Sequence, residues 1–165
     1  MTSRTAPPRR SPGVDLPPFM EVLTEHRDVV YRFLRAAAGP DADDCFQETF
    51  LAALRAYPRL RSADNLRSWL LTIARRKAID EHRGRARRPV PSERLPDGAV
   101  DPSTEAEDGL WQAVRTLPPK QRAAVLYRFV ADLPHREIAA ALGCSEEAAR
   151  RSVHEGLKKL REVWA

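Results

Sequence analysis

Apolar side chains recur along this chain at three- and four-residue steps, the signature of helices that each bury one face, and no stretch alternates as a strand would. Phe19, Val22, Leu23, His26, Val29, Val30, Phe33 and Leu34 form the first stripe, which Gly39-Pro40 stops. Asp41 is placed to cap a second helix, whose inward positions are Ala42, Cys45, Phe46, Thr49, Phe50 and Ala53 and which ends near Tyr57-Pro58. A short polar loop, residues 59–64, leads to the stretch that organises the rest, Asn65 to Arg88. Its first half places Leu66, Trp69, Leu70, Ile73 and Ala74 on one helical face, so the block predicts a bundle of three or four helices.

A second set of stripes starts at Leu110, with Trp111, Val114 and Leu117. Pro118-Pro119 opens the next helix where a missing amide costs least, and Val125, Leu126, Phe129 and Val130 are its expected buried side. Ile138, Ala139 and Leu142 form the inner face of a short helix, and Gly143 supplies the left-handed residue of a tight turn. Ser145 caps the following helix, which turns Ala149, Val153, Leu157 and Leu160 inward and Arg150, Arg151, His154 and Lys158 outward. With Ala139 and Gly143 small enough for two helices to cross closely, this is a helix-turn-helix pattern.

Between the blocks the composition changes. Pro89, Pro91, Pro96 and Pro102 alternate with Glu93, Asp97, Asp101, Glu105, Glu107 and Asp108, as in an extended acidic linker. The fold class is therefore all-α: small helical domains at 19–88 and 110–165, joined by a linker at 89–109. Residues 1–18, with five prolines and almost no large apolar side chains, read as a disordered tail.

Charge sharpens this picture. The formal net charge is +5, but its local concentration matters more: Arg75, Arg76, Lys77, Arg83, Arg85, Arg87 and Arg88 face only Asp80 and Glu81. Such a helix holds a core with its first half and offers cations to a polyanion with its second. In the helix-turn-helix, Arg150, Arg151 and His154 are placed to read base edges or hold phosphates, with Lys158 and Ser145 as phosphate contacts. Glu146 and Glu147 either accept from cytosine or favour the helix N-terminus.

Other chemistry finds no support. Asp43, Asp44, Gln47 and Glu48 lack a matching histidine or second carboxylate set, and His135 with Glu137 lacks the second histidine of a zincin motif. Cys45 and Cys144 have no metal-ligand spacing and read as small buried apolar residues, while Trp69 reads as core rather than as a base-stacking ligand. No catalytic constellation, metal site or cofactor is expected. No apolar run spans a bilayer and no charged-then-apolar leader is present, so the expected location is the cytoplasm.

Together the two blocks resemble the sigma-70 family of bacterial RNA polymerase initiation factors, in its short extracytoplasmic-function group, from Phe19 to Trp164. DADDCFQETFLAAL resembles the core-polymerase-binding helix, LRSWLLTIARRKAIDEHR the minus-ten segment, and LPPKQRAAVLYRFVADLPHREIAAALGCSEEAARRSVHEGLKKLRE the minus-thirty-five reader. The resemblance implies a region 2 bundle and a region 4 helix-turn-helix that direct core RNA polymerase to promoter DNA without catalytic residues. It implies that Asp44, Gln47, Glu48 and Phe50 dock on the clamp coiled coil of the polymerase largest subunit. A base flipped from the non-template strand would enter a pocket formed by the loop from Ser62 through Asp64 and Asn65 to Leu66. Arg75, Arg76, Lys77 and Arg83 would hold the phosphates there. The acidic linker would thread the RNA exit and active-site channel, and an anti-sigma protein is an expected partner. Arg76 stands where the group often has asparagine, and Ala149 where a larger aliphatic is usual. No long extension follows Trp164, so no fused sensing domain is expected.

Two other readings stay open on the residues. One is a stand-alone helix-turn-helix regulator of duplex DNA, which leaves the first block without a role. The other is a sigma-like adaptor without promoter activity.

Overall fold

The computed structural model describes residues 14–87 and 102–164. Among them the chain forms α1 (Phe19–Ala38), α2 (Ala42–Ala56), α3 (Leu66–Arg87), α4 (Pro102–Thr116), α5 (Pro119–Phe129), α6 (His135–Leu142) and α7 (Glu146–Trp164), with no strand between them. No helix among the described residues is long and apolar enough to cross a membrane.

The first block is a bundle of α1, α2 and α3. Val30, Phe33, Leu34, Ala53, Leu70 and Ala74 are fully or almost fully buried in it. α1 ends at Gly39, whose φ of 58° suits a residue without a Cβ and whose N–H returns to the Arg35 carbonyl. A one-turn helix, Gly39–Asp41, then delivers the chain into α2. Asp41 makes no side-chain capping bond there, contrary to expectation, because that turn already carries the chain into helical geometry and Asp41 is buried within it. Cys45 is buried and aims its thiol at the Lys77 carbonyl of α3, 3.8 Å away, whereas Cys144 is only half-buried.

The aromatic end of the bundle extends the ordered chain beyond the expected boundary. The Phe19 ring meets Tyr57 edge-on at 5.2 Å, the Tyr57 hydroxyl donates to the Pro17 carbonyl, and Leu16 packs against the core. Residues 14–18, assigned from sequence to the tail, are thus tied to the bundle. Residues 1–13 of that tail lie outside the described residues.

The linker also ends earlier than expected. α4 begins at Pro102, so the extended reading fails from there to Gly109. Proline at the first helical position followed by acidic residues is a good helix start, which outweighs the composition of a spacer. Residues 89–101 of the linker lie outside the described residues.

In the second block, α5 buries an unbroken run, Ala123 to Tyr127, because α7 covers one side and the first block the other. Phe129, expected on the buried side, is 59% exposed, since it lies past the point where both neighbours cover the helix. The close helix crossing is at Gly156: a Cβ there would lie 2.6 Å from Val125 Cγ2. Gly143 has open space around it and serves the turn through its φ of 63°. The Gly143 and Cys144 amides return to the carbonyls of Ala140 and Ala139, closing α6.

The two blocks share one apolar core. Tyr127 of α5 is completely buried, stacks on Phe33 of α1 with centroids 5.3 Å apart, and donates its hydroxyl to the Leu71 carbonyl of α3 at 3.4 Å. Arg115 of α4 donates to the Ala36 and Arg35 carbonyls, each at 3.2 Å, setting a cation on the negative end of α1. Ser68 of α3 donates to Glu137 of α6 at 2.9 Å. Leu71, which the sequence stripe of α3 omitted, is fully buried in this seam.

Candidate functional site

The outward row of α7 is built by its cap and its buried face. Ser145 Oγ accepts the Ala148 amide at 3.1 Å, and Ala149, Ser152, Val153 and Gly156 are buried. Arg150, Arg151, His154 and Lys158 therefore line the opposite side, all exposed. Arg150 pairs with Glu146 at 2.6 Å and Arg151 with Glu147 at 3.4 Å, each one turn back. Such exposed pairs contribute only about 0.3–0.5 kcal/mol, so they hold the guanidiniums ready without withholding them from a phosphate or a guanine edge. Of the two roles open to Glu146 and Glu147, pairing at the helix N-terminus is the one the geometry displays.

The cationic array of α3 is divided. Successive residues of a helix point about 100° apart, so Arg75, Arg76 and Lys77 cannot share a face. Arg75 and Arg83 line a cavity at the seam between the blocks, Arg76 is exposed, and Lys77 is half-buried. At the other end of α3, Asn65 takes a left-handed φ of 59° and the Asp64 amide donates to Ser62 Oγ at 3.0 Å. Asp64 and Asn65 line a second, smaller cavity with Trp69 and Thr72, closed on its far side by Glu137 and Ala140 of α6. The helix-turn-helix block thus forms one wall of the expected base pocket, while Asp64 and Asn65 themselves stay exposed. Ser62 is exposed outside it. Trp69 is half-buried, tilted against Tyr57 at 6.2 Å, as a core residue with one free edge.

The outer face of α2 carries Asp44, Gln47 and Glu48, all exposed. Phe50 does not belong with them: it is 7% exposed, tilted against Phe46 at 4.9 Å and edge-on to Phe19. Its place in the apolar stripe keeps it inside the bundle, so it supports the face from beneath. Instead Leu51 and Leu54, 45% and 51% exposed, continue the row at helical spacing. The sequence held that signal, since two leucines outside a buried stripe are apolar groups without a core to fill.

Known proteins agree with this layout. The family model for sigma-70 region 2 matches residues 22–88, and that for sigma-70 region 4 matches residues 108–160. The ECF RNA polymerase sigma factor SigD of Mycobacterium tuberculosis is 34% identical over 158 residues, spanning 86% of this chain and 74% of that protein. The chain belongs to the sigma-70 family, in its extracytoplasmic-function group. The RNA polymerase sigma factor CarQ of Myxococcus xanthus is 32% identical over 156 residues and covered to 88% on both sides. Among solved structures, the sigma factor RpoE of Bartonella quintana, in complex with the anti-sigma factor NepR, shares the fold with a TM-score of 0.70. Its identity is 21%, with 88% of this chain and 96% of that one covered. As a sigma factor, the protein is a promoter-recognising subunit of RNA polymerase and not itself an enzyme. The first block is region 2 and the second is region 4.

Sequence reasoning did not find the residues that join the regions. Tyr127 lay off the stripe assigned to α5, and no pattern in the sequence singles out Arg115. Burial pushes the Tyr127 phenol up to about 12, against the opposing pull of Arg75, the Thr72 hydroxyl and Arg76. Burial also lowers Arg115 and Arg122; Asp108 opposes this for Arg115, whereas Arg115 and Arg75 add to it for Arg122.

Proposed function

We propose that this sigma factor docks on core RNA polymerase through Asp44, Gln47, Glu48, Leu51 and Leu54 of α2. Region 2 captures the minus-ten element at Asp64 and Asn65, with Arg75, Arg76, Lys77 and Arg83 holding phosphates and Ser62 flanking the loop. Region 4 reads the minus-thirty-five element through Arg150, Arg151 and His154, with Ser145 and Lys158 on the backbone. The observation that carries the reading is the α7 row: four exposed polar or cationic side chains on one face of a capped helix whose other face is buried. Arg on such a helix can make the two parallel bonds that single out guanine in the major groove.

The seam adds a condition. With α6 beside Asp64 and Asn65, and Arg75 facing region 4, region 4 walls one side of the minus-ten surface in the free chain, while Asp64, Asn65, Arg76 and Arg83 stay exposed. Docking on the polymerase parts the regions and opens that side. An anti-sigma protein that binds the regions together would hold the factor off the polymerase, and all of this takes place in the cytoplasm.

Transcription by purified core polymerase on fragmented genomic DNA tests the reading. Discrete starts that depend on this protein and share two upstream elements are expected. Core binding without starts would favour the adaptor, and tight binding of the free protein to a palindromic duplex would favour the stand-alone regulator.

A further inference from the structure

The larger of the two cavities described above, about 550 Å³, opens where the C-terminal end of α1 and the middle of α3 meet α4 and α5. Its floor is apolar, with Ile79 of α3 and Leu126 of α5 from opposite regions. Four arginines line it: Arg75 and Arg83 from region 2, Arg115 and Arg122 from region 4. Asp41 and Glu81 are the carboxylates of the lining, so its four arginines and two carboxylates sum to a formal charge of +2.

Like charges brought together under a low-dielectric wall raise the free energy of the closed chain unless an anion joins them. Arg115 and Arg122 are both partly desolvated, and each is acted on by a neighbouring cation. Arg122 donates to the Leu117 carbonyl at 3.3 Å through one terminal nitrogen, yet its Nε is buried without an acceptor. A buried donor without a partner costs about 1–3 kcal/mol, more on a charged group.

The dimensions select the class of ligand. Pockets for small molecules occupy roughly 300–1,000 Å³, whereas a four-turn helix of about 10 Å diameter displaces on the order of 1,700 Å³. We propose that the seam cavity binds a small amphipathic anion, an apolar body bearing a phosphate or carboxylate, gripped by Arg115 and Arg122 together with Arg75 and Arg83. Such a ligand touches both regions at once and clasps region 4 onto region 2. Its binding does not depend on promoter recognition; only its effect on transcription rests on the minus-ten role proposed for Arg75 and Arg83.

Isothermal titration of the full chain with octyl phosphate, with decanoate and with inorganic pyrophosphate tests this. The first two represent a phosphate and a carboxylate on an apolar body, and the third an anion without one. Saturable one-to-one binding of octyl phosphate or decanoate is expected, with pyrophosphate at least tenfold weaker. Arg122→Gln should weaken the bound amphiphile tenfold or more, and Ile79→Trp, which fills the floor and leaves every charge in place, should do the same. Arg161→Gln, on the exposed end of α7, should change nothing. Unchanged circular dichroism and melting of each variant separate a lost site from a lost fold. The proposal is overturned if neither amphiphile saturates, if pyrophosphate binds as tightly, or if Arg122→Gln and Ile79→Trp bind like the parent chain.

Discussion

The two cationic surfaces of this sigma factor are in different states in the free chain. In region 4, Arg150 and Arg151 stand in solvent, paired only with carboxylates one turn back on their own helix. In region 2, the array on α3 is split between solvent and the seam, and α6 walls one side of the loop beside it, whose Asp64 and Asn65 stay exposed. The chemistry offered to DNA is similar, but access is not. A surface built within one helix is ready as soon as the helix folds, whereas one built at the junction of two packed units answers to how they are packed. The seam that joins them rests on Tyr127, Arg115 and the Ser68–Glu137 bond.

The comparison breaks most directly at Tyr127. Tyr127→Ala removes a fully buried ring, and the unfolding free energy should fall by about 3–5 kcal/mol in urea titrations. At low temperature, where the variant stays folded, it should bind a single-stranded minus-ten oligonucleotide more tightly than the parent while its duplex minus-thirty-five affinity stays the same. Equal gains on both DNAs would mean that the regions are not covered differently.

The α2 face supplies a reference of another kind. Leu51→Asp combined with Leu54→Asp should weaken capture of core polymerase by about 2 kcal/mol or more, with no drop in melting temperature because both side chains are exposed. Retained capture would remove this face from the docking surface. On the open side of the comparison, Arg150→Ala should cost about 1–3 kcal/mol on the specific minus-thirty-five duplex and leave minus-ten binding alone. A uniform loss on random duplex would make Arg150 a phosphate contact.

Alkali probes the seam more gently. An unfolded chain releases the tyrosine proton near the ordinary value of 10.0, while the folded chain keeps it until about 12. The stability tied to this phenol is therefore complete below pH 10 and is lost as the pH rises towards 12. The loss is on the order of 2 kcal/mol, and Tyr127→Phe should abolish that part of the slope. The smallest effect lies in region 2 alone. Burial lowers His26 below its ordinary 6.5; the Glu25 carboxylate opposes this and Arg67 adds to it. Because the unfolded chain takes up the proton first, stability should decline as the pH falls through 6.5, and His26→Gln should flatten that decline. An unaltered slope in the variant would assign the acid sensitivity to other groups.

Much of this was legible from the chain. Periodicity placed every helix of region 2, and the Gly143–Ser145 turn was read from residue types whose conformations are restricted: a glycine with φ of 63° and a serine that caps. The differences share a cause. Docking by Phe50 is what the resemblance implies, whereas its own stripe puts it inside the bundle. Phe129 is exposed and Leu71 buried because a stripe shows that a face is covered and not by which neighbour. Tyr127 and Arg115 act between blocks some fifty residues or more apart in sequence, as the Tyr127–Leu71 and Arg115–Ala36 bonds show, and no local pattern encodes such a contact. Gly156 was missed because a small residue inside a helix shows its purpose only when another helix crosses it.

The closed seam decides how region 2 is presented, and the distance between spin labels at Glu25 on α1 and Lys120 on α5 reports it directly, measured in the free protein and again with core polymerase bound. A single short distance in the free chain that lengthens on the polymerase is the predicted result. A broad or long distribution already present in the free protein, unchanged by the polymerase, would contradict it.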